Sequence, residues 1–502
     1  MVISALVSVE PTTLLRVLFG FVALYLTILA IKQKLALRAS AGHAARTRGR
    51  PLYFGLDVLW ETLTHAKKRQ FLDLQRTRFQ KYGNTFGAKR LATTVITTCE
   101  PSNIKTILSL RFQDYELKRL NSFGPLLGKG IFTTDGAEWM KSRAMLRPNF
   151  DKPQIVNLEM FESLMHEMFE LIPDNGDTVD LQKLFFCYTV DSATEFLFGH
   201  GVHSLRKLRA GRAGDDTAIQ FAAAFNYAQS SARIRHRLGP LMAFYHDRKA
   251  KQCNEICHRL AEECIERALQ GQIDDAPGKK KRYIFLEELL AQTNNRRRIR
   301  DELLNILLAG RDTTASLLSN LFFMLARNPH IWQTLRAEVA ILDGQPPTYD
   351  QLRAFKYLKY CLNESLRVHP VIPINARFAT KDTVLPVGGG PDGQSPAFVP
   401  RGSMIIYDVY NMHHRQDLYG PDADEFRPER WEHLRPRWEY LPFNGGPRVC
   451  LGQQYALTEA GYVTVRLAQR YRTLESRDPY PWVEDLTLAL SSKNGSHVAL
   501  QT

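Results

Sequence analysis

The chain has 502 residues, 44% of them hydrophobic, which is enough to bury a large core. The seven cysteines are an odd, scattered set, which argues against a disulfide framework and for a reducing compartment. The net charge of +14 comes from dispersed basic residues without a nucleic-acid-binding motif, so it favours an anionic membrane surface or an acidic protein partner over nucleic acid. Cys253, Cys257 and Cys264 share a predicted helix face, but no cluster elsewhere completes a zinc site.

Residues 14–31 form an apolar run interrupted by Arg16, Gly20 and Thr27. The run is just long enough to span a bilayer, and six basic residues follow it between positions 32 and 50. Positive charge on that side predicts that it faces the cytosol. We therefore expect residues 1–50 to be a single-pass anchor and basic linker, with residues 51–502 as one cytosolic domain. A cleaved signal peptide and a buried amphipathic helix are the alternatives.

The segment after the anchor alternates predicted helices with a short β-rich stretch. Periodicity predicts a helix over 68–82, a hairpin over 84–99 and helices within 155–200 and 217–270. Glycine and charge content predict loops over 201–216 and 271–283, and residues 121–134 are an apolar loop that would cover a pocket. On a helix after it, Trp139 and Arg143 are four residues apart and share a face.

A long helix is predicted from about residue 300 to 327, ending before Asn328-Pro329. It contains Ala309-Gly310-Arg311-Asp312-Thr313-Thr314. Polar residues and a glycine lower the stability of an apolar helix, so their presence here indicates a functional or structural role. The Thr313 hydroxyl can bond the carbonyl four residues back and open a kink. Asp312 and Thr313 together could relay protons, although a kink without chemistry would leave the same pattern.

Three further arginines of interest occur downstream. Glu364 and Arg367 are three residues apart on a predicted helix, a spacing that is uninformative alone. Arg377 follows an apolar segment, and Arg430 lies in Phe426-Arg427-Pro428-Glu429-Arg430-Trp431.

The most informative stretch is Phe443-Asn444-Gly445-Gly446-Pro447-Arg448-Val449-Cys450-Leu451-Gly452. Glycines such as Gly446 and Gly452 let the backbone approach a flat ligand closely. A cysteine at the start of a helix lies near the positive end of the helix dipole, which favours the thiolate. A thiolate is the axial ligand that promotes O–O cleavage at a haem iron. The alternative is a buried cysteine in a surface loop.

The order Phe-x-x-Gly-x-Arg-x-Cys-x-Gly resembles the haem-ligand signature of the cytochrome P450 family, and the other motifs occur in that family's order. The resemblance implies the cytochrome P450 fold, mainly α with a smaller β region, behind a single transmembrane helix. It implies heme b with Cys450 as the iron ligand and Asp312 and Thr313 in oxygen activation. It also implies several contacts to the cofactor and a structural triad beneath it. The expected cofactor contacts are Arg448, Arg377, Arg143, Trp139, Phe443, Gly446 and Gly452, and the triad is Glu364, Arg367 and Arg430.

Residues 190–199, 385–393, 398–402 and 447–459 are similar to fungal members that hydroxylate alkanes and fatty acids. This similarity implies a monooxygenase on the endoplasmic reticulum that oxidises a lipophilic chain at or near its terminal carbon. Electrons would come from NADPH through a separate flavoprotein reductase, since the chain has no dinucleotide-binding fingerprint. A basic face with Lys141, Arg147, Arg435 and Arg437 would suit an acidic reductase.

Two other interpretations of the function stay open at this stage. The same chemistry could act on a polyketide-like or aromatic substrate, and a non-catalytic haem-binding membrane protein is a third possibility. Arg233, Arg235 and Arg237 lie in the predicted access region, where they could attract a fatty-acid head group or could simply be solvated.

Overall fold

The computed structural model describes residues 55–90, 93–150, 158–211, 217–270 and 284–502, together with positions 20, 24, 27, 28 and 31. The predicted anchor over residues 14–31 therefore lies almost wholly outside the described residues. In the part of the chain that is described, no helix combines the length and apolar character needed to cross a membrane.

Helices make up most of the described chain, as predicted. In chain order they are α1 Leu56–Lys67, α2 Phe71–Tyr82, α3 Pro101–Lys105, α4 Leu120–Leu127, α5 Gly136–Leu146, α6 Glu159–Phe169, α7 Leu181–Phe198, α8 Ser204–Arg209, α9 Thr217–Leu238, α10 Arg248–Leu269, α11 Phe285–Gln292, α12 Arg296–Leu325, α13 Pro329–Val339, α14 Tyr349–Ala354, α15 Lys356–Val368, α16 Val409–His413, α17 Gln416–Tyr419 and α18 Gln453–Arg470.

The strands form a smaller, separate region. They are β1 Thr85–Arg90, β2 Thr93–Thr98, β3 Tyr115–Glu116, β4 Val179–Asp180, β5 Ile374–Ala379, β6 Thr383–Gly389, β7 Ser395–Val399, β8 Met404–Asp408, β9 Thr473–Ser476, β10 Glu484–Leu486, β11 Leu490–Ser492 and β12 His497–Gln501. The main sheet has the order β1-β2-β8-β5-β3, in which β2 and β8 are parallel and the other neighbours antiparallel. β6–β7 and β10–β11 are hairpins, and β12 pairs with β4 and β9.

Helix α12 runs through the centre of the molecule. Asn295 caps its start by accepting a hydrogen bond from the Arg298 N–H, which explains why the helix begins four residues before the predicted position. Most of its residues are buried on all faces, as expected for a helix that is packed by others on every side. It packs against α7, α10, α15 and α18, so any side chain on it is held by several layers.

The structure confirms some of the predicted elements and corrects others. The helix over 71–82 and the β1–β2 hairpin confirm the predictions for 68–82 and 84–99. The segment 121–134 was predicted as a loop, but its first half is helix α4, which contains Pro125. The predicted loop 201–216 contains α8, because Asp191 of α7 accepts hydrogen bonds from the first N–H groups of that helix, at Ser204 and Leu205. Such a cap from a distant residue leaves no local sequence signal.

Candidate active site

Backbone contacts hold the cysteine loop rigidly in front of α18. The Cys450 N–H donates to the Phe443 carbonyl at 3.0 Å, which closes the loop on itself. Gly446 has a φ of +68°, and a Cβ there would lie 1.9 Å from the carbonyl oxygen of Leu108. Only glycine tolerates both conditions, so the loop depends on this residue. Helix α18 begins three residues after the cysteine, at Gln453, with Gly452 as its N-cap.

The Cys450 side chain is reached by solvent, yet protein surrounds it on all sides, so it faces an interior hollow. Burial raises the pKa of the Cys450 thiol, and the Gly452 N–H and the Arg143 charge only partly offset that effect. The helix-dipole argument from the sequence predicted the opposite net direction, because it could not include desolvation. A coordinated metal ion deprotonates a thiol outright, so the group suits an iron ligand despite its raised pKa.

Trp139 anchors two of the predicted arginines. The Arg448 guanidinium lies 4.4 Å from the Trp139 ring centroid and donates to Thr134 O and Asp135 Oδ1, each at 2.9 Å. Arg143 is 5.8 Å from the same ring, and its Nη1 donates to the Val449 carbonyl at 3.0 Å. The predicted Trp-x-x-x-Arg pair on α5 is thus joined directly to the cysteine loop.

Arg119 and Arg377 complete a cluster of cations beside Arg448. Arg377 is 3% exposed and its Nε has no hydrogen-bond acceptor, while Arg119 donates to Asn375 Oδ1 at 3.0 Å. Burial, together with the charges of Arg377 and Arg448, lowers the pKa of Arg119 to about 9. Burial, with the charges of Arg377 and Arg143, likewise lowers the pKa of Arg448 to about 10. Crowded, desolvated cations with an unused donor fit an anionic ligand such as the propionates of haem.

Helix α12 opens onto interior space in its middle. Ala309, Gly310 and Thr313 are accessible although most of their neighbours on the helix are buried, and a Cβ on Gly310 would have no contact within 4 Å. The Thr313 hydroxyl donates to the Ala309 carbonyl at 2.8 Å, which is the back-bond that the sequence predicts. A flat ligand can therefore approach the helix backbone at this point.

The structure separates the two predicted proton-relay residues. The Asp312 carboxylate is 8% exposed and accepts a hydrogen bond from Gln229 Nε2 of α9 at 3.0 Å. Arg311 Nε lies 3.5 Å from its other oxygen. Asp312 is thus held against α9, while Thr313 is bonded within α12. Sequence patterns gave no indication of Gln229, which is 83 residues away along the chain.

The loop between α4 and α5 is fastened to the first half of α12. The backbone N–H groups of residues 129, 131 and 132 donate to Asp301 Oδ2 at 2.8 Å, Glu302 Oε2 at 3.0 Å and Asn305 Oδ1 at 2.9 Å. The Phe132 ring of this loop lies 4.1 Å from the Arg119 guanidinium. The three hydrogen bonds, which we name the loop clamp, fasten the loop to α12, and the Phe132 ring connects the loop to the arginine cluster.

Glu364, Arg367 and Arg430 lie together in the core, as the sequence resemblance implied. Glu364 is fully buried and accepts from Arg367 Nε at 2.9 Å, Arg430 Nε at 2.8 Å and Trp431 Nε1 at 2.9 Å. Arg367 also donates to the carbonyls of His413 and Ala423. The network joins α15 to the segment before the cysteine loop, which supports that loop from below.

The described residues contain no group of three histidine, cysteine or acidic side chains that could hold a metal ion. Cys253 and Cys257 pack into the apolar core of α10 as free thiols, and Cys264 is also free and partly buried. Cys450 differs from the other six cysteines because it is exposed to a hollow.

Comparison with known proteins is consistent with this geometry. A model of the family described as cytochrome P450 matches residues 51–498. A protein named cytochrome P450 monooxygenase himC, from Aspergillus japonicus, is 50% identical over 457 residues, covering 89% of this chain and 81% of the relative. Cytochrome P450 monooxygenase fsdH from Fusarium heterosporum is 46% identical over 465 residues, with the same coverage. Cytochrome P450 52A3-A from Candida maltosa is 44% identical over 465 residues, covering 89% of each chain.

Proposed function

The chain belongs to the cytochrome P450 family of haem-thiolate monooxygenases, and on that basis we propose that it hydroxylates long aliphatic substrates, fatty acids or n-alkanes, at or near the terminal carbon. The family binds haem through a cysteine thiolate. When bound, haem supplies the activation of O2 for insertion of one oxygen atom into a C–H bond.

The protein's own residues have distinct parts in this proposal. Cys450 is the iron ligand, and the loop closed by Phe443 and Gly446 fixes the position of its sulfur. The arginine cluster neutralises the propionates: Arg119, Arg143, Arg377 and Arg448, with Trp139 between two of them.

In this proposal Asp312 and Thr313 deliver protons. The Thr313 hydroxyl faces the interior space and can pass a proton once its back-bond to Ala309 is released. Asp312 can contribute after its carboxylate leaves Gln229. Their separation means that a side-chain rearrangement accompanies proton delivery.

The observation that carries the proposal is Cys450, the one cysteine whose side chain faces a hollow beside a cluster of cations. The test is the absorption spectrum of the reduced, carbon-monoxide-bound protein. A red-shifted thiolate-type Soret band is expected, and Cys450→Ala should abolish it while Cys361→Ala, a substitution at a cysteine buried in the core, should keep it. A folded, haem-loaded protein without that band would refute the assignment of the ligand.

The substrate class is supported by the similarity of residues 190–199, 385–393 and 398–402 to fungal alkane- and fatty-acid-hydroxylating members. In the structure residues 383–399 form the β6–β7 hairpin. Turnover of fatty acids and n-alkanes of graded length, with NADPH and a flavoprotein reductase, tests the class. Terminal or near-terminal alcohols are the expected products.

A specialised-metabolite substrate, polyketide-like or aromatic, is the second candidate. The relatives himC and fsdH, at 50% and 46% identity, bear names that state a monooxygenase and no substrate. Both are more similar to this chain than cytochrome P450 52A3-A, which is 44% identical. The two candidates separate in the same turnover screen, since oxidation of an aromatic or polyketide compound without oxidation of any fatty acid or alkane would favour the second.

We also propose that residues 1–50 anchor the protein in the endoplasmic reticulum membrane and that a basic surface docks an acidic reductase. Lys141, Arg147, Arg435 and Arg437 are all exposed. Lys141→Glu should slow electron transfer at low ionic strength, while Lys251→Glu on α10 should leave it unchanged. The full chain should resist extraction from membranes by alkaline carbonate, and residues 51–502 should not.

A further inference from the structure

Arg233 lies on the side of α9 that faces the oxygen-activating part of α12. It follows Gln229 by one helical turn, and Gln229 donates to Asp312. Arg233 Nη1 donates to the Leu486 carbonyl at the end of β10, at 3.1 Å. The guanidinium is therefore placed between α9 and the β10–β11 hairpin, about one turn of helix from the Asp312 contact.

The β10–β11 hairpin, which accepts the hydrogen bond from Arg233, is attached to the start of α2 near the protein surface. Glu484 of β10 accepts hydrogen bonds from the backbone N–H groups of Phe71 and Leu72 at the start of α2. Next to it, Asp485 pairs with Arg69, and about one third of each of these two side chains is exposed. Arg233 thus lies between the Gln229–Asp312 contact and the half-exposed edge of the β10–β11 hairpin.

The charge of Arg233 is poorly compensated. Among the described residues its hydrogen-bond partner is a carbonyl, its Nε is buried without an acceptor, and burial lowers its pKa. Asp485 offsets that effect in part, but its carboxylate is already paired with Arg69. A half-buried guanidinium in this condition gains energy from a carboxylate that accepts two parallel N–H bonds.

The neighbouring arginines do not share this position. Arg235 is two residues further along α9 and therefore points to a different side of the helix, where it donates to the Asn121 carbonyl. Arg237 is exposed. Arg235 is therefore a matched control for a change of charge on the same helix.

We propose that Arg233 binds the carboxylate of a fatty-acid substrate at the mouth of the pocket, so that the opposite end of the chain is directed to Thr313. This inference rests on the proposed function and deepens it, because it selects fatty acids over alkanes as the preferred class. It also explains hydroxylation at the far end of the chain, since the head group is held on the rim side.

The test is a spectral titration of the purified, haem-loaded protein, which measures binding by the substrate-induced spin-state shift. Dodecanoic acid, its methyl ester and dodecane are compared in the wild type, in Arg233→Met and in Arg235→Met. We expect the wild type to bind the acid at least about tenfold more tightly than the ester, because a hydrogen bond to a charged group is removed. Arg233→Met should weaken acid binding by a similar factor and leave dodecane within about twofold, and Arg235→Met should change neither.

Other outcomes would overturn the inference in distinguishable ways. Equal affinities of the wild type for acid and ester would refute it without any variant, so a misfolded Arg233→Met does not leave it undecided. Binding and terminal oxidation of dodecane with no preference for the acid would refute the anchor and leave the proposed function intact. A normal carbon-monoxide spectrum without binding of any aliphatic compound would overturn the substrate class and the anchor together.

Discussion

Replacement of Gly446 by alanine tests how strongly the cysteine loop depends on one backbone position. The φ of +68° costs a residue with a Cβ about 1–2 kcal/mol. In addition, the new Cβ would lie 1.9 Å from Leu108 O and 2.7 Å from its carbonyl carbon, so backbone must move by about 1.5 Å to reach an ordinary contact of 3.4 Å. Overpacking of this kind costs about 1–3 kcal/mol. Gly446→Ala should therefore lose roughly 2–5 kcal/mol of unfolding free energy.

Gly344→Ala is the matched control for this substitution. Gly344 has a φ of +74°, but a Cβ there would meet nothing within 4 Å, so only the conformational cost of about 1–2 kcal/mol applies. Urea unfolding of the haem-loaded protein measures both variants, and the carbon-monoxide spectrum reports the ligand loop. We expect Gly446→Ala alone to lose the thiolate-type band. Equal destabilisation by the two substitutions, with both spectra intact, would show that the Leu108 contact does not constrain the loop.

Four further predictions concern other parts of the molecule. Glu364→Gln should lower the unfolding free energy by about 3–5 kcal/mol in urea titrations, because it leaves the buried Arg367 guanidinium without its carboxylate partner and leaves Arg430 paired with Asp422 alone. Burial raises the pKa of Glu459 from 4.5 to about 7, so the folded state holds the proton more tightly than the unfolded state. Stability should therefore fall between pH 4.5 and pH 7, by on the order of 2–3 kcal/mol from this group, and unfolding titrations of Glu459→Gln should show a shallower fall. Asn305→Ala leaves the partly buried N–H of Phe132 unpaired, which should cost about 1–3 kcal/mol, speed hydrogen exchange over 128–132 and broaden the distribution of hydroxylated products. Thr313→Ala should uncouple NADPH and O2 consumption from product, as measured by peroxide release, and unchanged coupling would argue against a proton-handling part for its hydroxyl.

The features that could be predicted from the sequence are those whose partners are close along the chain. The cysteine loop spans ten residues, and the pair Glu364 and Arg367 occupies one helical turn, so spacing alone places these side chains together. The long helix was predicted within four residues at each end, since its apolar run and the following Asn328-Pro329 are local signals. The family recognised from these motifs is confirmed by the comparisons.

The features that escaped prediction depend on packing between distant segments. Arg119 acquires its significance from Arg377 and Arg448, which are more than 250 residues away, and nothing in its own neighbourhood marks it. Gln229 reaches Asp312 because the fold brings α9 into contact with α12, which no periodicity reveals. The pKa of Cys450 was misjudged for a related reason, since desolvation depends on the whole surrounding structure rather than on the helix that follows the residue.

The loop clamp has a consequence for how this pocket can change over evolutionary time. In all three hydrogen bonds the loop contributes a main-chain N–H group, and the acceptors are the side chains of Asp301, Glu302 and Asn305 on α12. Every amino acid except proline carries such an N–H group, so the side chains at Ile131 and Phe132 can be exchanged without loss of the fastening. Single substitutions at these two positions therefore change the apolar surface of the loop while its backbone stays fixed, which makes them the first choice for randomisation when a different substrate is wanted.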